Sequence, residues 1–169
     1  MKVALTGGIA CGKSLVAGYL NEMGVATVDA DDIVHALVPA EERRRLAKIV
    51  FADPEARREL ESRIHPLVAA ELERHPEAVH VIPLLFECNW QAKYDIICCV
   101  TSERGNQIRR MMTTRGYTRE EAESRLAAQM PVDEKAAKSH CVIRNDGTAE
   151  ELRAQVAKLV ERLKEKRDG

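Results

Sequence analysis

The sequence lacks the features of a membrane, secreted or nucleic-acid-binding protein. No apolar run approaches the roughly 20 residues that span a bilayer. The N-terminus enters a strand pattern at once, without the basic region, long apolar stretch and small-residue cleavage site of a secretory leader. Net charge is almost absent, since 26 Lys and Arg against 27 Asp and Glu leave −1. Such a balance offers no bulk attraction for DNA, RNA or an anionic membrane, so any anion must be held by a local site. The cysteines (Cys11, Cys88, Cys98, Cys99 and Cys141) are odd in number and form no C-x-x-C. Buried thiols are expected rather than a disulfide framework or a zinc site, with Cys98 and Cys99 on opposite faces of a strand. Internal repeats and low-complexity linkers are missing too. The expectation is a cytoplasmic protein with no nucleic-acid or membrane partner.

What is present is 169 residues, 45% apolar and 31% charged, enough for one compact domain with a real core. Residues 2–6 (KVALT) read as a short strand running into glycines. Leu15, Val16, Tyr19, Leu20 and Met23 mark one face of a helix over 13–23, which Gly24 stops. Residues 25–28 read as a second strand, ending at Asp29-Ala30-Asp31. Strand, glycine loop, helix and strand make a βαβ unit, hence a parallel sheet with a right-handed crossover. Three more strands are expected at 79–83, 95–100 and 141–144, making five. Asn145-Asp146-Gly147 signals a turn. Thr148 and Glu151 then cap a last helix that carries Leu152, Val156, Leu159, Val160 and Leu163 on one side.

Helical inserts separate the core stretches, which cover about 1–31, 78–101 and 141–169 of the single α/β unit. The first insert, about 32–77, should hold a short helix capped by Asp32, an Arg-rich helix at 43–51, and a helix starting at Asp53-Pro54. His65-Pro66 predicts a break or kink in that last helix. The second insert, about 102–140, reads as a helical pair. Thr118 and Glu121 are its capping box, and Ala122, Leu126 and Met130 lie along one side.

The chemistry enters at Gly7-Gly8-Ile9-Ala10-Cys11-Gly12-Lys13-Ser14, which fits G-x-x-x-x-G-K-[ST] between a strand and a helix. Glycines let the backbone wrap a phosphate with its N–H donors turned inward, and the helix adds its positive dipole end. Lys13 can reach the β- and γ-phosphates of ATP, and Ser14 can offer its hydroxyl to Mg²⁺. Asp29 and Asp31 end the second strand on the same crevice. A carboxylate there could orient or deprotonate an attacking hydroxyl, hold Mg²⁺ through water, or simply cap a helix. Arg109, Arg110, Arg115, Arg119 and Arg125 concentrate in the second insert among Glu103, Glu120, Glu121 and Glu123. Most should be solvated or in i,i+4 pairs, with one or two facing the nucleotide. A guanine-specific GTPase would carry N-K-x-D and an ABC-type ATPase L-S-G-G-Q; neither occurs. P-loop kinases of small molecules remain.

Along nearly its whole length the chain resembles the dephospho-coenzyme A kinase family. The resemblance rests on Leu5-Thr-Gly-Gly-Ile, Asp29-Ala-Asp31, Arg43-x-x-Leu46 with Val50-Phe51, and Leu60-Glu61 with His65-Pro66. It continues in Pro83-Leu-Leu-Phe-Glu87, Gln107-x-x-Arg110, Gln129 with Lys135, and Val142-Ile-Arg-Asn-Asp-Gly147. It implies ATP-dependent phosphorylation of the ribose 3′-hydroxyl of dephospho-coenzyme A, with Mg²⁺. Asp31 would be the catalytic carboxylate, with Lys13 and Arg110 beside it. The nucleotide would lie on Gly8, Ile9, Ala10, Cys11, Gly12, Lys13, Ser14 and Leu15, with Arg110 near ATP. Ser14 would hold the metal, with Asp29 behind it through water. Thr6, Asp31, Arg43 and His65 would face the acceptor. The first insert would bind the acceptor and the second would be a lid. By their own setting His65 reads as an ordinary structural histidine and Arg43 as part of a solvated helix face. The chain departs from the family at Ala10, Cys11 and Leu15, where only backbone donors are needed, and at Thr114 in the lid. Between Asp31 and Arg43 it is shorter than the family pattern, which keeps two other readings open. One is a kinase of nucleosides or nucleoside monophosphates; the other is a nucleotide-binding regulator without catalysis.

Overall fold

The computed structural model describes residues 1–41, 43–44 and 54–168. Five strands alternate with helices: β1 (Val3–Gly7), β2 (Thr27–Asp29), β3 (Val79–Val81), β4 (Ile96–Thr101) and β5 (Cys141–Arg144). They form one parallel sheet in the order β2-β3-β1-β4-β5. The register pairs Val3 with Val79 on one side and with Ile96 on the other. β1 is therefore interior, and all five of its residues are buried, as a parallel strand covered on both faces must be. The expected five-stranded parallel α/β core holds.

The helices are α1 (Lys13–Glu22), α2 (Ala30–Leu37), α3 (Pro54–Glu73), α4 (Arg104–Arg115), α5 (Arg119–Ala127), α6 (Val132–Ala137) and α7 (Ala149–Asp168). The chain divides into two compact units, residues 1–27 with 77–169, and residues 28–76. In the first, α1 gives Val16 and Leu20, and α7 gives Leu152, Val156, Leu159, Val160 and Leu163, to a core with Val3, Leu5, Cys98 and Val100. Each such side chain taken fully out of water contributes about 1.5–3 kcal/mol. Cys98 belongs to this core, whereas its neighbour Cys99 is absent from it and feels Lys135 of α6, so the two thiols do face opposite ways. Burial pushes the Cys99 thiol up to about 12. All five cysteines are free. No helix is long and apolar enough to cross a membrane among the described residues.

Both capping boxes form. Glu121 N–H donates to Thr118 Oγ1 (3.1 Å) and Thr118 N–H to Glu121 Oε2 (2.8 Å); Thr148 and Glu151 repeat the pattern at 3.2 and 2.8 Å. Four expectations need correction. β2 begins at Thr27 rather than at 25, because the Val25 amide is spent on the Leu20 carbonyl closing α1. Asp29, not Asp32, caps α2: Asp29 is still extended (φ −94°, ψ 125°), and its carboxylate accepts from the Asp31 amide at 2.8 Å. The second insert holds three helices, α6 being too short to show a period, and Met130 lies beyond the end of α5. Finally, α3 runs unbroken through Pro66. A proline there forfeits one helical hydrogen bond and crowds the preceding turn, but buried Val68 and Leu72 follow and hold the last turns in place. The Arg-rich helix expected at 43–51, Leu46, Val50-Phe51 and the Asp53 cap lie outside the described residues, except for helical 43–44.

Pro66 is exposed, so removing its ring costs no packing. Pro66→Ala should raise the stability of the protein by about 1–3 kcal/mol, part of the interior-proline penalty. A urea melt reads this directly; an unchanged midpoint would show that α3 has already relaxed around the ring.

Candidate active site

β1 delivers the chain into the phosphate loop under tight constraint. Gly7 has φ +152°, and a Cβ on it would collide with the Val100 carbonyl of β4. Gly12, at φ +96°, is left-handed and closes the loop at the start of α1, where a Cβ would strike the Asn145 side chain. Between them every carbonyl is taken by a side chain. Lys13 Nζ donates to Gly7 O (3.2 Å) and Gly8 O (2.8 Å). Gln107 Nε2 donates to Ile9 O (2.8 Å), Arg110 to Ala10 O (3.0 Å) and Asn145 Nδ2 to Cys11 O (2.9 Å). Ala10 accepts a positive φ of 55° within this framework. The Cys11 thiol is buried below the loop, and desolvation raises its pKa against the opposing Lys13 charge.

The side chains that hold the loop are themselves held. Arg110 also donates to Ser102 Oγ (3.1 Å) and to the Asn145 carbonyl (2.5 Å). Ser102 donates to Asp146 Oδ1 at 2.6 Å, and the same oxygen accepts from the Glu103 amide and from Asn106 Nδ2, both at 2.9 Å. Asp146 thus caps α4 from forty residues away, where the N-cap residue Glu103 makes no side-chain cap of its own. Partial desolvation pushes the Asp146 carboxyl up, but these hydrogen bonds and the Arg110 charge outweigh it and leave the group below its ordinary value. Thr6 is fully buried at the end of β1, its hydroxyl donating to the Pro83 carbonyl at 3.3 Å. A cavity of about 660 Å³ opens beside Gly8 and Ile9, walled by Ser102, Gln107, Met130 and Val132.

Ser14 and Leu15 are exposed on the first turn of α1, Leu15 at 44%. In the unit 28–76, Asp31 is exposed in the first turn of α2, directly after its cap Asp29. Arg43 donates to the His35 carbonyl (2.6 Å) and the Val38 carbonyl (3.1 Å), closing the C-terminal end of α2. His65 is half-buried within α3. Of the other arginines, Arg119 pairs with Glu123 at i,i+4 (3.7 Å), and Arg125 stacks on Tyr117 (4.4 Å). Sequence reasoning misses the work of Gln107, Asn145 and Asp146. They stand in recognisable motifs, but nothing in their spacing says that Gln107 and Asn145 reach loop carbonyls 98 and 134 residues away, or that Asp146 holds the start of α4.

The profile of the dephospho-CoA kinase family matches residues 1–43 and 40–151. The two segments overlap at residues 40–43. The dephospho-CoA kinase of Geobacter sulfurreducens is 38% identical over 188 aligned positions, covering 93% of this chain and 95% of that one. That of Geobacter metallireducens is 40% identical, covering 93% and 94%. Among solved structures, TT1252 from Thermus thermophilus superposes with a TM-score of 0.80 at 34% identity, covering 95% and 97% of the two chains. Dephospho-CoA kinase from Campylobacter jejuni gives 0.69 at 26%, covering 96% and 98%. A shikimate kinase from Acinetobacter baumannii, at 15% identity and a TM-score of 0.63 over 98% and 93% of the chains, shares the fold alone. By sequence and by structure together, this chain belongs to the dephospho-CoA kinase family.

Proposed function

We propose that this chain transfers the terminal phosphoryl group of ATP to the ribose 3′-hydroxyl of dephospho-CoA, in the cytoplasm, giving CoA and ADP. The observation that carries the reading is the phosphate loop, whose carbonyls from Gly7 to Cys11 are all drawn away by side chains. A loop so held offers its amides between Gly8 and Leu15 to an anion at the start of α1, the Cys11 amide excepted, since it donates to the Gly8 carbonyl (3.4 Å). Lys13 exchanges the two carbonyls it now holds for the β- and γ-phosphates, and Arg110 stands beside the nucleotide. Dephospho-CoA as acceptor follows from family membership.

Mg²⁺ keeps most of its water and takes one or two protein ligands plus phosphate oxygens, so the residues of the loop can hold it without a separate cluster. Ser14 would be the direct ligand and Asp29 a partner through water, and the ion would offset charge on the phosphate oxygens. Asp31 holds the 3′-hydroxyl in line and accepts its proton late, as the new bond from O3′ to phosphorus forms and the bond to ADP breaks. Thr6, Arg43 and His65 complete the acceptor side. Residues 32–77 serve as the acceptor-binding insert and 102–140 as the lid.

ADP release measured across dephospho-CoA, nucleosides and nucleoside monophosphates tests the acceptor; turnover on dephospho-CoA alone is expected. Lys13→Ala should cut turnover by at least about 10²-fold and weaken ATP binding by calorimetry. Near-normal turnover would end the phosphate-loop reading. Ser14→Ala should shift the Mg²⁺ dependence of the rate, and superimposable titrations would remove its metal role. Asp31→Asn keeps shape but loses charge and base, so kcat should fall by about 10²-fold or more while ATP affinity holds. Asp29→Asn should cost less. The reverse ranking would exchange the two roles, and two neutral substitutions would dispose of the carboxylate mechanism.

A further inference from the structure

We propose that Lys135 is a positioning residue for phosphoryl transfer: paired with Glu87, it fixes the α5–α6 junction that leans on the phosphate loop. The Lys135 side chain is 0% exposed, although it belongs to a six-residue helix at the edge of a cavity. Its ammonium donates to Glu87 Oε1 and to the Pro83 carbonyl, both at 2.8 Å. That carbonyl also takes the Thr6 hydroxyl. Glu87 Oε1 in turn accepts the Met130 amide at 3.2 Å. Its second oxygen, Oε2, is buried with no hydrogen-bond partner among the described residues.

A buried ion pair recovers its desolvation cost only when its remaining lone pairs are satisfied, and here one oxygen is not. Stability alone is a poor reason for this pair. Its mechanical effect is clearer. Glu87 ties the segment after β3 to Met130, and two residues later Val132 meets the phosphate loop. A Cβ on Gly8 would lie 3.1 Å from Val132 Cβ. Contact therefore runs from Lys135 and Glu87 through Met130 and Val132 to Gly8, while Lys135 and Thr6 share one acceptor at the root of the loop. Slack in this chain moves the loop relative to the acceptor, and a displacement near 1 Å costs about 10²-fold in rate.

The proposal rests on the phosphate-loop reading, which Lys13→Ala tests on its own. The experiment here is the double variant Lys135→Met with Glu87→Leu, which removes both charges and leaves neither buried alone. It should melt at or above the wild-type temperature. Its kcat on ATP and dephospho-CoA should nevertheless fall by about 10- to 100-fold, with both KM values within about threefold of wild type. Wild-type kcat in a folded double variant would make the pair structural only and overturn the proposal. If the double variant melts low, Val132→Gly decides: it leaves the pair intact and removes the β-carbon that lies against Gly8, along with some packing on the core. In protein still folded at the assay temperature, a fall in kcat of about 3- to 10-fold with KM values unchanged supports the strap, and an unchanged kcat rejects it.

Discussion

Five successive carbonyl oxygens of the phosphate loop are held from behind by four side chains, and most of the molecule is arranged to make that possible. A peptide plane has two ends. Fixing each carbonyl to one side commits the neighbouring amides to the other, so the loop is shaped for an anion before any anion arrives. The donors come from three places: Lys13 from α1, Gln107 and Arg110 from α4, and Asn145 from the turn after β5. Only the strand order brings them together. β1 is flanked by β4, and β4 by β5, so the carboxyl ends of all three open at one point. The glycines follow from the same crowding, since Gly7 lies against Val100 of β4 and Gly12 against Asn145.

Such an arrangement brings several charges close together, and each is met locally by hydrogen bonds. Arg110 spreads its charge over three oxygens, from Ala10, Ser102 and Asn145. Asp146 gathers three donors on one oxygen and brings the start of α4 to the turn after β5. Ser102 belongs to both sets, so the nucleotide side is one connected polar network rather than separate contacts, and its members support one another. The pair Lys135–Glu87 stands apart from that network, joining α6 to the segment after β3. Among the described residues it alone leaves a buried side-chain oxygen unmatched.

The parts of this design that depend on neighbours in sequence are legible from the residues themselves. The glycine-rich loop, the helix after it, the strands and both capping boxes rest on periodicity and on residues three or four apart. Where the sequence misleads, the causes are physical. Asp32 looks like the cap if the second strand stops at Val28, yet Asp29 is still extended and reaches forward to the Asp31 amide. Pro66 looks like a break as long as local propensity is weighed without the burial of Val68 and Leu72. α6 escapes detection because six residues carry too little period. Most tellingly, Gln107 and Asn145 fall into motifs but not into roles, because their partners are loop carbonyls 98 and 134 residues away. A motif shows which residues matter; the reach of a side chain across a sheet edge shows what they do.

The division of the chain sharpens this point. Among the described residues, every side chain that holds the phosphate loop lies within residues 1–27 and 77–169, as does the Asp146 staple. The residues proposed for the acceptor, apart from Thr6, lie within 28–76. The carbonyls of Ala10 and Cys11 are held by Arg110 and Asn145 through the backbone, so these contacts do not depend on the side chains at 10 and 11. The geometry of the loop therefore rests, among the described residues, on side chains of residues 1–27 and 77–169 alone.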